Sequence, residues 1–95
     1  MEDRVLKALR GYGLTGYEGK VYLALLEGRE LTASGVSRKA FIPYSKVYEV
    51  LRRLEEKGWV ESESKRPIRY YPKPPREAVE VARIKIEDEL RTYEK

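Results

Sequence analysis

The chain has 95 residues, of which 38% are charged, with a formal net charge of +4 and neither cysteine nor histidine. This composition excludes a disulfide framework, the usual zinc sites and Cys/His nucleophile chemistry. It also lacks any run near the roughly 18 apolar residues of a membrane span.

Ninety-five residues without an internal repeat allow one domain with a small core, which an ordered C-terminal helix or a partner subunit would help to stabilise. Carboxylates are spaced so that no concave catalytic or metal-binding constellation can be argued, and the expectation is no enzyme, no metal and no cofactor. The N-terminus has no signal-peptide core, so a cytoplasmic location is expected. Asn and Gln are absent while Lys, Arg, Glu and Tyr abound, a composition of the kind found in thermophile proteins.

Charge is unevenly placed. Residues 1–30 carry five bases and five acids, 31–58 six and three, 59–76 five and two, and 77–95 four and six. The positive excess lies in the middle of the chain, as a polyanion partner would require.

Asp3 to Arg10 predicts a short amphipathic helix with Val5, Leu6 and Leu9 for burial and Gly11 and Gly13 ending it. Thr15-Gly16-Tyr17-Glu18 is a capping-box sequence opening a helix that runs to about Glu27 and stops at Gly28. Val21 to Leu26 are apolar in succession, which predicts a central buried helix. Glu30-Leu31 reads as a one- or two-residue strand, followed by Thr32 as N-cap of a helix over 33–40 with Val36 and Ala40 inward.

Phe41 and Ile42 lead into a longer helix, with Pro43 at its first position and Gly58 just after its last turn. Val47, Val50, Leu51 and Leu54 form its core stripe. Ser45, Glu49, Arg52 and Glu56 lie opposite, flanked by Lys46, Tyr48 and Arg53. Residues 32–57 therefore read as a helix-turn-helix.

Trp59 to Glu63 predicts a strand, Ser64 to Pro67 a basic turn, and Ile68 to Tyr71 a returning strand closed by Pro72, Pro74 and Pro75. This hairpin is the wing of a winged helix. A last helix runs from Pro75 or Arg76 toward Tyr93. The fold class is mainly α with a small β-hairpin: a winged helix-turn-helix over 1–74 and a long C-terminal helix over 75–95.

With the elements placed, the chain resembles the DNA-binding domain of the TrmB family of archaeal transcriptional regulators. The resemblance is carried by Leu14 to Leu26 (LTGYEGKVYLALL), Leu31 to Ser34 (LTAS) and Ile42 to Gly58 (IPYSKVYEVLRRLEEKG). Arg66-Pro67, Tyr70-Tyr71 and Pro74-Pro75 resemble the wing and its exit, extending the match over residues 14 to about 76. It implies double-stranded DNA as partner. Two departures stand out. Phe41 occupies the place where the family tends to carry glycine, so a different turn geometry is expected. Sugar-sensing members carry a large C-terminal effector domain, and no small-molecule effector domain is expected in this chain.

In a helix-turn-helix the second helix enters the major groove with its N-terminal residues nearest the bases. Tyr44, Ser45, Lys46, Tyr48, Glu49, Arg52 and Arg53 are the candidate contacts, Arg suited to guanine and Glu to cytosine N4. Lys46 and Arg53 are better placed for phosphate. The plain alternative is a solvated face held by Lys46–Glu49, Glu49–Arg53 and Arg52–Glu56 pairs, and Tyr48 divides evenly between packing and contact. Lys65, Arg66 and Arg69 are the wing candidates, and Thr32 and Ser34 open the first motif helix toward a phosphate. Val79, Ala82, Ile86, Leu90 and Tyr93 form a stripe at helical spacing that is expected to build a homodimer.

The favoured function is a dimeric DNA-binding transcriptional regulator. The competing readings are a protein-interaction winged helix within a transcription or recombination assembly, and a sequence-tolerant chromatin protein.

Overall fold

The computed structural model describes residues 2–94. In order they form α1 (Glu2–Gly11), α2 (Gly16–Gly28), α3 (Ala33–Ala40), α4 (Tyr44–Lys57), β1 (Val60–Ser62), β2 (Tyr70–Pro72) and α5 (Pro75–Arg91).

α2 is the hub, packed against α1, α3, α4 and β2. Its start is fixed by the reciprocal capping box: Glu18 N–H donates to Thr15 Oγ1 at 3.2 Å, and Thr15 N–H donates to Glu18 Oε1 at 3.0 Å. Val21, Tyr22, Ala24 and Leu25 are buried, with Leu23 and Leu26 partly so, as the unbroken apolar run requires. α1 crosses closely at Gly19, where an added Cβ would lie 3.0 Å from Leu6 Cδ2. Leu9 carries the burial of α1, whereas Val5, expected inward, is exposed. A helix crossing one edge of the core buries only a narrow stripe.

α3 begins at its Thr32 cap, whose hydroxyl accepts from Gly35 N–H at 3.2 Å. It ends at Phe41, which adopts φ 57° and ψ 46°. The backbone thus takes the left-handed form that glycine would supply, and a phenylalanine holds it. Ser37 ties the turn together: its carbonyl accepts from the Phe41 and Ile42 N–H groups, and its hydroxyl donates to the Ile42 carbonyl at 2.7 Å. The Phe41 side chain is 88% exposed.

The helical turn of α4 starts at Tyr44, with Pro43 as its cap at φ −60°, ψ 136° rather than as the first helical residue. Its extended ψ sets the corner between the two motif helices. Val47, Val50, Leu51 and Leu54 are buried as the stripe predicts. Gly58, at φ 89°, closes the helix in a conformation that a Cβ would strain. The chain then turns at once into buried Trp59, whose ring meets Tyr22 edge to face at 5.0 Å.

β1 and β2 pair antiparallel in the register Val60↔Pro72, Glu61↔Tyr71, Ser62↔Tyr70. Both are shorter than the sequence implies, since the turn occupies residues 63–69. Leu31 bridges Tyr70 with hydrogen bonds of 3.1 and 2.8 Å, adding the predicted minimal third strand.

α5 folds back only in part. Ala78 and Ala82 are buried and Val79 packs on the core, while Ile84, Ile86 and Leu90 are exposed. The helix ends at Arg91, so Tyr93 lies beyond it.

Candidate nucleic-acid interface

The N-termini of α3 and α4 meet the hairpin across an open groove of about 320 Å³. Thr32 to Ser34 line one wall, Tyr44 and Tyr48 the floor beside α4, and Arg66 to Ile68 with Tyr70 the wing side. Each position follows from local structure. The Thr32 cap points the first turn of α3 into the groove, the Pro43 corner presents the first turn of α4, and the β1–β2 register sends residues 63–69 out beside it.

Tyr44 and Tyr48, four residues apart, form an edge-to-face pair with ring centroids 5.9 Å apart and hydroxyls 3.2 Å apart. They are 50% and 53% exposed, which resolves Tyr48 away from core packing. The hydrogen bond to Tyr48 pushes the Tyr44 hydroxyl up from its ordinary range. Tyr70, largely through burial and then through the carboxylate of Glu55, is pushed the same way. The upward shifts keep Tyr44 and Tyr70 uncharged at physiological pH, so the floor is aromatic.

On the outer face of α4, Arg52 bonds Glu56 at 2.9 Å and Arg53 bonds Glu49 at 2.8 Å. The expected Lys46–Glu49 pair is not among the ion pairs of the described residues; Glu49 is taken by Arg53 instead. Exposed pairs of this spacing contribute about 0.3–0.5 kcal/mol, so a phosphate or base edge can replace either carboxylate. On the wing, Arg69 bonds Glu30 at 3.1 Å. Lys46, Lys65 and Arg66 form no ion pair among the described residues, and of the three Arg66 lines the groove.

The candidates therefore divide. Thr32, Ser34, Tyr44, Tyr48 and Arg66 come together at the groove. Ser45, Lys46, Glu49, Arg52 and Arg53 share the exposed face of α4, Lys65 is exposed near the hairpin tip, and Arg69 is turned to Glu30. Thr32 spends its hydroxyl on the cap, as its sequence position implies. No residue of α5 lines the groove. Of its stripe, Val79 and Ala82 serve the chain's own core, and Ile86, Leu90 and Tyr93 are exposed.

Sequence reasoning missed two features. Tyr70 and Ile68 shape the groove, which only strand register reveals. Lys57 Nζ reaches Glu18 Oε1 at 2.6 Å and the Gly13 carbonyl at 2.8 Å, tying the far end of α4 to the start of α2. These partners lie 39 and 44 residues apart, beyond any local signal. Among the described residues no acidic cluster could hold a metal ion and no helix is long and apolar enough to cross a membrane.

The chain is 37% identical over all 95 residues to YrhO of Bacillus subtilis, covering 34% of that protein. It is 34% identical over 90 residues to the HTH-type sugar sensing transcriptional regulator TrmBL1 of Pyrococcus furiosus, covering 95% of this chain and 25% of that one. The chain thus spans about a quarter to a third of the length of these relatives. Among solved structures, TrmBL2, described as an archaeal chromatin protein with a novel mode of DNA binding, superposes with a TM-score of 0.89 at 26% identity. That match covers 97% of this chain and 36% of TrmBL2. The family model described as sugar-specific transcriptional regulator TrmB matches residues 9–76, and with the winged helix-turn-helix now in place the chain belongs to the TrmB family.

Proposed function

We propose that this chain is the DNA-binding part of a transcriptional regulator, acting on double-stranded DNA in the cytoplasm. α4 enters the major groove, and the wing lies on the adjacent backbone or minor groove. The observation that carries the reading is the groove between α4 and the wing, lined by Arg66 and an aromatic floor, with the unpaired and exposed Lys46 on α4 and Lys65 on the wing. A polyanionic strand with apolar base edges matches that combination. Thr32 and Ser34 supply the start of α3 toward the same strand. No catalytic step is part of the proposal.

The exposed Ile86, Leu90 and Tyr93 favour a homodimer through α5, which would present two copies of α4 to half-sites about 34 Å apart. Sedimentation of the chain and of Leu90→Glu tests this: a dimer reduced to monomer is expected, and a monomeric unsubstituted chain overturns it.

The decisive experiment is duplex binding by fluorescence anisotropy across a salt series. Binding at low salt that weakens steeply with added salt is expected, because each phosphate contact releases counterions. Absence of duplex binding at low salt overturns the proposal.

The likeness to TrmBL2 favours one further reading, a sequence-tolerant chromatin protein. The ratio of affinities for selected and random duplexes separates the two: a ratio near one marks the chromatin protein.

A further inference from the structure

Building on the DNA-binding reading, we propose that the Tyr44–Tyr48 pair selects thymine by apolar contact with its C5-methyl group. Four observations converge. First, the pair occupies the first two turns of α4, the part of a recognition helix that comes nearest the bases. Secondly, the rings stand edge to face at 5.9 Å and their hydroxyls bond each other at 3.2 Å. One O–H donor is thereby consumed internally and the other stays free, and the half-exposed rings present carbon to the groove beside it.

Thirdly, both rings remain half exposed, although a core stripe lies directly beside them on the same helix. Fourthly, the pair faces the wing. Arg66 and Ser34 line the same groove, residue types suited to a phosphate. A strand held there brings its own base edges against α4. The C5 position of a pyrimidine projects on the side of the major groove next to its own backbone, so it is the base atom such a flank meets. Thymine carries a methyl at that atom and cytosine does not. Arg52 and Arg53, the side chains able to read guanine, lie further along the helix and are engaged by Glu56 and Glu49. Near the start of α4 the polar Ser45, Lys46 and Glu49 stand beside the aromatic pair, and the pair is the apolar surface able to sense a methyl.

Replacing thymine by deoxyuridine removes only the methyl, which makes the test direct. Duplexes are selected by the unsubstituted chain from a random pool, and each thymine in the enriched sites is then exchanged for deoxyuridine. At the contacted positions affinity is expected to fall about fourfold per methyl, equivalent to ~0.8 kcal/mol. Tyr44→Phe and Tyr48→Phe keep the rings and the thymine preference. The double substitution Tyr44→Ala and Tyr48→Ala binds thymine and uracil duplexes alike, with an unchanged salt slope because the phosphate contacts persist. All four side-chain changes are at exposed positions, and the base exchange itself needs no variant. Equal affinity of the unsubstituted chain for thymine and uracil duplexes overturns the inference while leaving DNA binding standing. So does loss of the preference in the phenylalanine variants, which would assign the reading to the hydroxyls. Failure to bind any duplex at low salt overturns the DNA-binding reading and this inference together.

Discussion

Lys57→Met isolates the contact that joins the end of α4 to the hub helix. Glu18 is 1% exposed, and its Oε1 receives both the Thr15 N–H and the Lys57 ammonium, while Oε2 has no protein donor. Methionine keeps most of the aliphatic stem of lysine and deletes the charge, leaving a buried carboxylate held by one backbone N–H. Removing one member of a fully buried pair costs about 3–5 kcal/mol. The Lys57 side chain is 36% exposed, so water reaches the vacated position and the cost is discounted to about 1.5–3 kcal/mol. For a domain of this size each kcal/mol moves Tm by about 4–8 °C. Guanidinium unfolding followed by circular dichroism measures the loss. Glu18→Gln in the Lys57→Met background removes the stranded charge and keeps an acceptor for Thr15 N–H. The double variant should therefore regain part of the stability, giving a coupling of at least ~1 kcal/mol in a double-mutant cycle. A loss below about 0.5 kcal/mol for Lys57→Met, additive with Glu18→Gln, is the behaviour of an exposed ion pair and would refute the clamp.

Phe41→Gly should stabilise the fold by up to about 1 kcal/mol, since the left-handed backbone at φ 57° penalises a Cβ and the exposed ring loses no packing; an unchanged or lower guanidinium midpoint contradicts this. Burial pushes the Tyr22 hydroxyl up to about 12, above the ordinary value of 10.0, and its O–H donates to the Lys73 carbonyl at 2.7 Å. Its contribution is full below pH ~10 and is lost as pH rises toward ~12, where the unfolded chain has already released the proton. Tyr22→Phe should cost about 1 kcal/mol near neutrality and show a shallower alkaline loss than the unsubstituted chain, read from unfolding midpoints over pH 9 to 12. Arg52→Ala should alter sequence preference in a binding selection. Lys65→Ala should weaken all duplexes about equally and reduce the salt slope by about one, and identical behaviour of the two variants would erase the division between reading and anchoring.

How much of this was legible in the chain depended on the range of the interaction. The capping box at Thr15, the stripe from Val47 to Leu54 and the stop at Gly58 are encoded within one or two helical turns, and each element formed where its own residues direct it. The pairing of Tyr44 with Tyr48 belongs to the same class, since i,i+4 neighbours on a helix meet. The turn at Phe41 was read as a departure because its residue type disfavours the conformation. The structure keeps that conformation because Ser37 supplies three hydrogen bonds to the turn, a context that residue type alone does not carry. The groove was legible only as separate parts. Thr32, Tyr44 and Arg66 span 34 positions of sequence, and what brings them together is the packing of α3 and α4 on α2 and the Leu31–Tyr70 bridge that seats the hairpin. α5 shows the same limit from the other side. Its periodicity marks an apolar stripe but does not say how many of those residues the chain buries itself. Val79 packs on the core and Ala82 is buried while Ile86 and Leu90 are exposed, which divides the stripe into a core-packing half and an exposed half, and Ala78, fully buried, lies outside the stripe the periodicity marks.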